Sequence, residues 1–316
     1  MDNTFTKTVS GKLCYFDGEG LPDDTPLTVD NTEFSWIKQY PVSITEPWVK
    51  KTLGGVSCVL WPSDLICDSD GGLGIQRNFG TEKTIFIQGR VYRPLTNAQT
   101  VFGRKNPASN NLWLWVWDYI NAYITWSIGH NQYNNSIAPR YTVNNVWTLL
   151  QTYNAHNDAL CVSEQYIKDI ATDKITARVS TNRAPIADSF GSSASDIWAF
   201  CCDTRGSTIY STKMLIAKNK YLTVAGLTAG MIICLLDASD NVIFSGKATG
   251  ATFIFDLMGI EAPLNHKLQV IGTDGIELLK TDALTIYHGD TWTYSGDISG
   301  PVKSRKRIII DGGVIG

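Results

Sequence analysis

Charge is scarce in this sequence. Only 18% of its 316 residues are charged, against about 25% in an average globular protein. That excludes a charge-rich disordered chain. Lys and Arg total 27 against 30 Asp and Glu, for a net charge of −3. A cationic nucleic-acid binder is therefore not expected, and no specific nucleic-acid partner is assigned. Long apolar runs are also missing. The longest, Met231–Leu236, is strand-sized and far short of the ~20 residues of a membrane helix, so membrane insertion is not expected. The opening Met1-Asp2-Asn3-Thr4-Phe5 has no basic stretch leading into an apolar one, so no secretory leader is expected.

Signatures of chemistry are equally sparse. The 7 cysteines are irregularly spaced, with no C-x-x-C pair and none at zinc-finger spacing to a histidine. They read as buried, reduced thiols acting as small hydrophobes, with a Cys58–Cys67 hairpin disulfide as the alternative. The 4 histidines (His130, His156, His266 and His288) are scattered and form no H-E-x-x-H. There is no G-x-S-x-G elbow, no phosphate loop and no dinucleotide fingerprint. The paired carboxylates of a glycosidase have no counterpart at alternate positions of a strand. Asp64, Asp68 and Asp70 cluster before Gly71-Gly72. Oxygen ligands on a loop suit Ca²⁺, but the later glutamate of a calcium loop is missing and the segment reads as a solvated turn. No cofactor and no enzymatic activity are expected.

What the sequence does hold is strand-forming residues. Tyr, Trp, Thr, Val and Ile recur in short runs broken by Gly, Asn, Asp, Ser and Pro. The expected class is all-β. Residues 1–55 are weakly patterned and read as an N-terminal arm contributing a strand or two, with a long turn over Gly18–Asp24. Residues 56–217 carry strands at Val56–Leu60, Lys83–Tyr92, Leu112–Tyr119, Ala122–Ile128, Val146–Tyr153, Ile197–Cys202 and Lys213–Ala217. Ser163–Thr172, with Glu164, Gln165, Lys168 and Asp169, is the best helix signal, fitting a short exposed helix or a loop. After Asn219 the strands shorten: Tyr221–Ala225, Met231–Leu236, Val242–Ser245, Thr252–Leu257, Lys267–Ile271, Glu277–Leu279 and Leu284–Tyr287. That spacing over residues 218–296 predicts a small immunoglobulin-like sandwich. Residues 297–316 form a basic and apolar tail.

Trp113, Trp115 and Trp117 alternate with Leu112, Leu114 and Val116. On a regular strand the period of two carries all three indoles to one face. Such a row fits a second small core, a subunit interface or a platform for sugar rings. With Tyr119, and with Asn131 and Tyr133 from the polar loop His130–Ser136, it forms the candidate carbohydrate site; the loop equally suits an ordinary turn. In the tail, Lys303, Arg305, Lys306 and Arg307 precede Ile308, Ile309 and Ile310. These form a candidate partner-binding segment, through strand addition to a neighbour's sheet edge or by folding back on its own domain.

The stretches Thr84–Val91, Val101-Phe102-Gly103-Arg104, Leu112–Val116, Tyr123–Ile128, Val146-Trp147-Thr148-Leu149 and Ile197-Trp198-Ala199-Phe200 resemble the laminin-G-like, or concanavalin-A-like, lectin sandwich. The stretches Val224–Leu227, Leu236–Ser239 and Ile286–Trp292 resemble the immunoglobulin-like modules of bacteriophage virion proteins. The resemblance implies a lectin-like antiparallel β-sandwich (jelly roll) over residues 56–217, followed by the immunoglobulin-like module. It implies a structural protein of head, tail or fibre, assembled in the host cytoplasm into the virion. Its partners would be other virion proteins, further copies of itself in a homo-oligomer, and host surface glycans. A polysaccharide-degrading virion enzyme and a ligand-free structural adaptor are the alternatives.

Overall fold

The computed structural model describes residues 3–17, 20–25, 37–38, 49–53, 56–61, 74–75, 84–93, 99–106, 109–118, 123–127, 145–154, 161–169, 172–182, 197–200 and 209–296. Among these the regular structure is all strand, with no helix. The chain is an all-β protein of stacked, mainly antiparallel sheets. It divides into two compact units, residues 14–216 and residues 1–13 with 217–316.

In the larger unit, one sheet runs Ile175–Asn182, Cys161–Asp169, Asn145–Asn154, Thr84–Arg93, Ile209–Ala217, Val56–Trp61 and Val49–Leu53, each strand hydrogen-bonded to the next. Lys12–Asp17 also pairs with Ile209–Ala217. Phe86 and Ile87 are consecutive and both 0% exposed, as are Leu215 and Ile216. Consecutive strand residues face opposite sides, so the middle of this sheet is covered on both faces. The second sheet has six strands in the order Tyr123–Ser127, Ser109–Asp118, Gln99–Asn106, Ile197–Phe200, Gly74–Ile75 and Ile37–Lys38.

Most strand extents match the sequence expectation to within a few residues. Ser163–Thr172 does not fit a helix or a loop: Cys161–Asp169 is a strand paired antiparallel on both sides. Val162, Tyr166 and Ile167 are good strand formers, and two hydrogen-bonded neighbours outweigh the weak helical preference of the polar residues between them. The expected turn ending at Asp24 is anchored by Asp23. Its carboxylate accepts from the Thr52 amide and hydroxyl and pairs with the Lys50 ammonium, and these bonds hold its pKa below the ordinary value.

The smaller unit is a sandwich. One sheet runs Thr4–Val9, Thr291–Ser295, Tyr221–Ala225 and Thr252–Asp256. The other runs Val242–Lys247, Ile232–Leu236, Leu264–Ile271 and Glu277–Lys280, with Leu284–Ile286 also paired to Leu264–Ile271. Tyr221–Ala225 and Thr291–Ser295 are parallel to each other, and their neighbours pair antiparallel. Leu222, Val224, Phe255, Trp292 and Tyr294 from the first sheet meet Ile233, Leu235, Leu268 and Val270 from the second in one apolar core. The pattern of two follows: Leu222 and Val224 are buried while Tyr221, Thr223 and Ala225 lie outward, and Trp292 and Tyr294 are buried between Thr291, Thr293 and Ser295.

The N-terminal residues contribute a strand to this unit. Thr4–Val9 is an edge strand of this sandwich, in register with Thr291–Ser295 from Thr4↔Ser295 to Lys7↔Trp292, followed by a bulge before Val9↔Thr291. Phe5 packs on the core and its ring lies 5.6 Å from that of Tyr294.

Candidate functional site

Trp113, Trp115 and Trp117 fall on the strand Ser109–Asp118, which is hydrogen-bonded to Gln99–Asn106 on one side and Tyr123–Ser127 on the other. Trp117 is opposite Gln99 and Ile124, Trp115 opposite Phe102, and Trp113 opposite Gly103 and Ser127. Against both neighbours the register slips between Trp113 and the residues that follow Leu114. A bulge of this kind sets two residues against one and interrupts the alternation. Tyr119, Asn131, Tyr133, the cluster of Asp64, Asp68 and Asp70, and the tail from Lys303 to Ile310 lie outside the described residues, as does Cys67.

A cluster of polar contacts lies in the smaller unit, around the turn Tyr287–Asp290. Gly289 has φ +77°, and the Asp290 amide donates to the Tyr287 carbonyl at 3.2 Å. Glycine at the third position supplies the left-handed conformation such a turn requires. The turn folds the Asp290 side chain inward, where it is 0% exposed. One carboxylate oxygen accepts from the Gly11 amide at 3.0 Å, and the other from the Tyr287 amide at 2.9 Å. The Lys7 ammonium pairs with it at 2.7 Å. The same ammonium donates to the Thr285 carbonyl at 3.1 Å and lies 5.1 Å from the Trp292 ring centre and 5.5 Å from that of Tyr287. A second cation, Lys12, sits 4.6 Å from the Tyr287 ring. These contacts join the N-terminal strand to the C-terminal turn.

His288, in the same turn, is also 0% exposed. Its Nε2 is 2.9 Å from the Ile260 carbonyl and its Nδ1 3.2 Å from the Lys220 carbonyl. Burial pushes its pKa from 6.5 down to about 4, against the opposing pull of those carbonyls and of Asp256 and Asp290. Neutral at pH 7, the ring has one N–H and donates to one of these two carbonyls, tying that segment to the turn. Cys234 is a buried free thiol, pushed by burial up to about 11, which leaves little thiolate for chemistry. Asp237 accepts from the Ser239 and Asn241 amides and the Asn241 side chain, each at 2.8 Å. Asp240 takes the ammonium groups of Lys267 and Lys280. Among the described residues no three His, Cys, Asp or Glu side chains converge as a metal site would require.

Sequence reasoning missed the pairing of Lys7 with Asp290. Its one legible trace was Gly289 beside Asp290, a turn signal.

No protein-family description matches the chain, and no curated protein matches it. Among solved structures it is similar to an alginate lyase in complex with an alginate tetrasaccharide, at 9% identity over 65% of this chain and 96% of the other, with a TM-score of 0.36. It is similar to a protein of unknown function from Shewanella oneidensis, at 9% identity over 68% and 84%, with a TM-score of 0.32. A GH54 α-L-arabinofuranosidase follows at 10% identity over 73% and 61%, with a TM-score of 0.34. At scores this low these likenesses carry nothing about what this chain does.

Proposed function

We propose that this chain is a structural component of a bacteriophage particle, acting in assembly and in contact with host surface glycans rather than in catalysis. The observation that carries the non-catalytic reading is Asp290. The most deeply buried carboxylate of the smaller unit is bound to two backbone amides and one ammonium, all within the chain. Such a group fastens segments together. A general acid or nucleophile would instead stand open to a substrate. The buried neutral His288 and the engaged Asp237 and Asp240 point the same way.

The particle context is supported by the resemblance of Val224–Leu227, Leu236–Ser239 and Ile286–Trp292 to virion modules. The glycan contact is supported by the three tryptophans in the sequence of one strand, since an indole has a broad apolar face of the kind that suits a sugar ring. Many copies in a symmetric assembly would raise a weak intrinsic affinity.

Mass spectrometry of purified particles tests the reading directly, and a chain absent from them sinks it. Deleting residues 297–316 should abolish incorporation if the tail docks on a neighbour, and normal incorporation would remove the docking role. On a glycan array the Trp115→Ala variant should lose signal that the parent shows. Release of reducing ends from capsule or wall glycans would replace the reading with an enzymatic one.

A further inference from the structure

The outward face of the four-stranded sheet in the smaller unit differs from an ordinary solvated surface. Alternation turns Thr6 and Thr8 outward on the edge strand, Thr291 and Thr293 on the next, and Thr223 on the third. Thr8 Oγ1 lies 3.1 Å from Thr293 Oγ1 and donates to the Thr291 carbonyl at 3.3 Å, so these two hydroxyls meet across the strands. Thr252 and Ile254 continue the face on the fourth strand. Ile254, opposite Thr223, is 56% exposed, and Tyr221, opposite Asp256, is 38% exposed. The one charged outward position on these strands is Asp256, at the margin and paired at 2.7 Å with Lys220, whose ammonium also lies 5.3 Å from the Tyr221 ring centre.

We propose that this face binds a neutral polysaccharide. Three features select that occupant. The first is charge: a polyanion would call for free Lys or Arg, and the outward strand positions supply neither, the Lys220 ammonium at the margin being neutralised by Asp256. The second is area. Four strands about 4.8 Å apart and five residues long present roughly 300 Å², well under the ~800 Å² per partner of a stable protein pair. The face is too small to hold a second copy, but large enough for a few sugar rings. The third is chemistry. Each threonine sets a methyl beside a hydroxyl that donates and accepts, and a pyranose ring sets C–H beside O–H in the same way. The β-branched side chains are stiff, so little rotamer freedom is lost on contact. Ile254 adds an apolar margin for the C–H face of a ring. The surface is separate from the tryptophan strand, and it would bind glycan whether or not the protein is carried in a particle.

Affinity electrophoresis of the full chain in gels holding dextran, laminarin, alginate or hyaluronan tests this. Retardation by a neutral glucan is expected. Thr6→Glu and Ile254→Lys, both at exposed positions, should weaken it at least about tenfold with the circular dichroism unchanged. Val242→Lys, on the other sheet, should leave it intact. Retardation by alginate or hyaluronan alone, retardation indifferent to both face variants, or no retardation by any neutral glucan each overturns the proposal. So does sedimentation in which Thr6→Glu dissociates an oligomer while no glucan binds, for the face would then join copies. Particle mass spectrometry reads the proposed function independently, so the two can fail separately.

Discussion

Gly11 and Gly289 meet backbone to backbone: a methyl group on Gly11 would overlap the main chain of Gly289. The approach is held from several sides. The Gly11 amide donates to Asp290 and its carbonyl accepts from the Lys218 amide at 2.9 Å, while the Gly289 amide donates to the Tyr221 carbonyl at 2.7 Å. Gly11→Ala must push these segments apart. The expected cost is about 1–3 kcal/mol, the range of overpacking in a close-packed site. Gly250→Ala is the control, since nothing lies within 4 Å of a methyl there, and it should stay within about 0.5 kcal/mol. Denaturant unfolding followed by Trp fluorescence checks both. Equal stability of the two variants would show that the N-terminal segment yields easily.

Asp290→Asn should be worse than Lys7→Met. The first leaves a half-buried ammonium without its counter-charge and weakens two backbone ties. The second leaves the carboxylate with its two amide donors and an apolar chain against the Trp292 and Tyr287 rings. Removing one partner of a buried pair costs about 3–5 kcal/mol, and partial exposure of Lys7 places Asp290→Asn near the low end. The readout is amide hydrogen exchange in Thr4–Val9 and Thr291–Ser295. Faster exchange confined to those strands and the turn is expected for Asp290→Asn, with a smaller change for Lys7→Met. The reverse order would mean that the rings, rather than the carboxylate, hold the ammonium.

The strands of the smaller unit were largely legible because turn residues bracket them. Tyr221–Ala225 sits between Asn219 and Gly226, and its outward–inward pattern follows the residues. Thr4–Val9 was harder to see. Only Phe5 marks its inward face as apolar, because the next inward residue is Lys7, and an inward lysine makes sense only once Asp290 is known to face it. That partner lies far away in sequence, beyond the reach of local pattern. The tryptophan strand was legible in part. Its existence and extent follow from alternation, but the bulge after Trp113 depends on the register of both neighbours, which Leu114 alone does not announce. Polar Cys161–Asp169 was misread for a similar reason, since its strand state comes from the partners on either side.

His288 gives the smaller unit a defined acid sensitivity. Its folded pKa of about 4 lies below the ordinary 6.5, so the unfolded chain binds a proton that the folded one refuses. Stability is then complete above about pH 6.5, falls as pH drops through the window, and levels off near pH 4, losing roughly 3 kcal/mol in all. Asp237 and Asp240, held by hydrogen bonds below 3.8, lose their contributions only at lower pH, as their carboxylates protonate. The two effects separate along the pH axis. His288→Gln keeps one donor near Ile260 and cannot titrate. It should cost stability at pH 7 and flatten the slope between pH 6.5 and 4. Thermal melts at half-unit pH steps, with the His288 ring followed by NMR, check both. A ring titrating near 6.5 in the folded protein, or an unchanged slope in the variant, would place the acid sensitivity elsewhere.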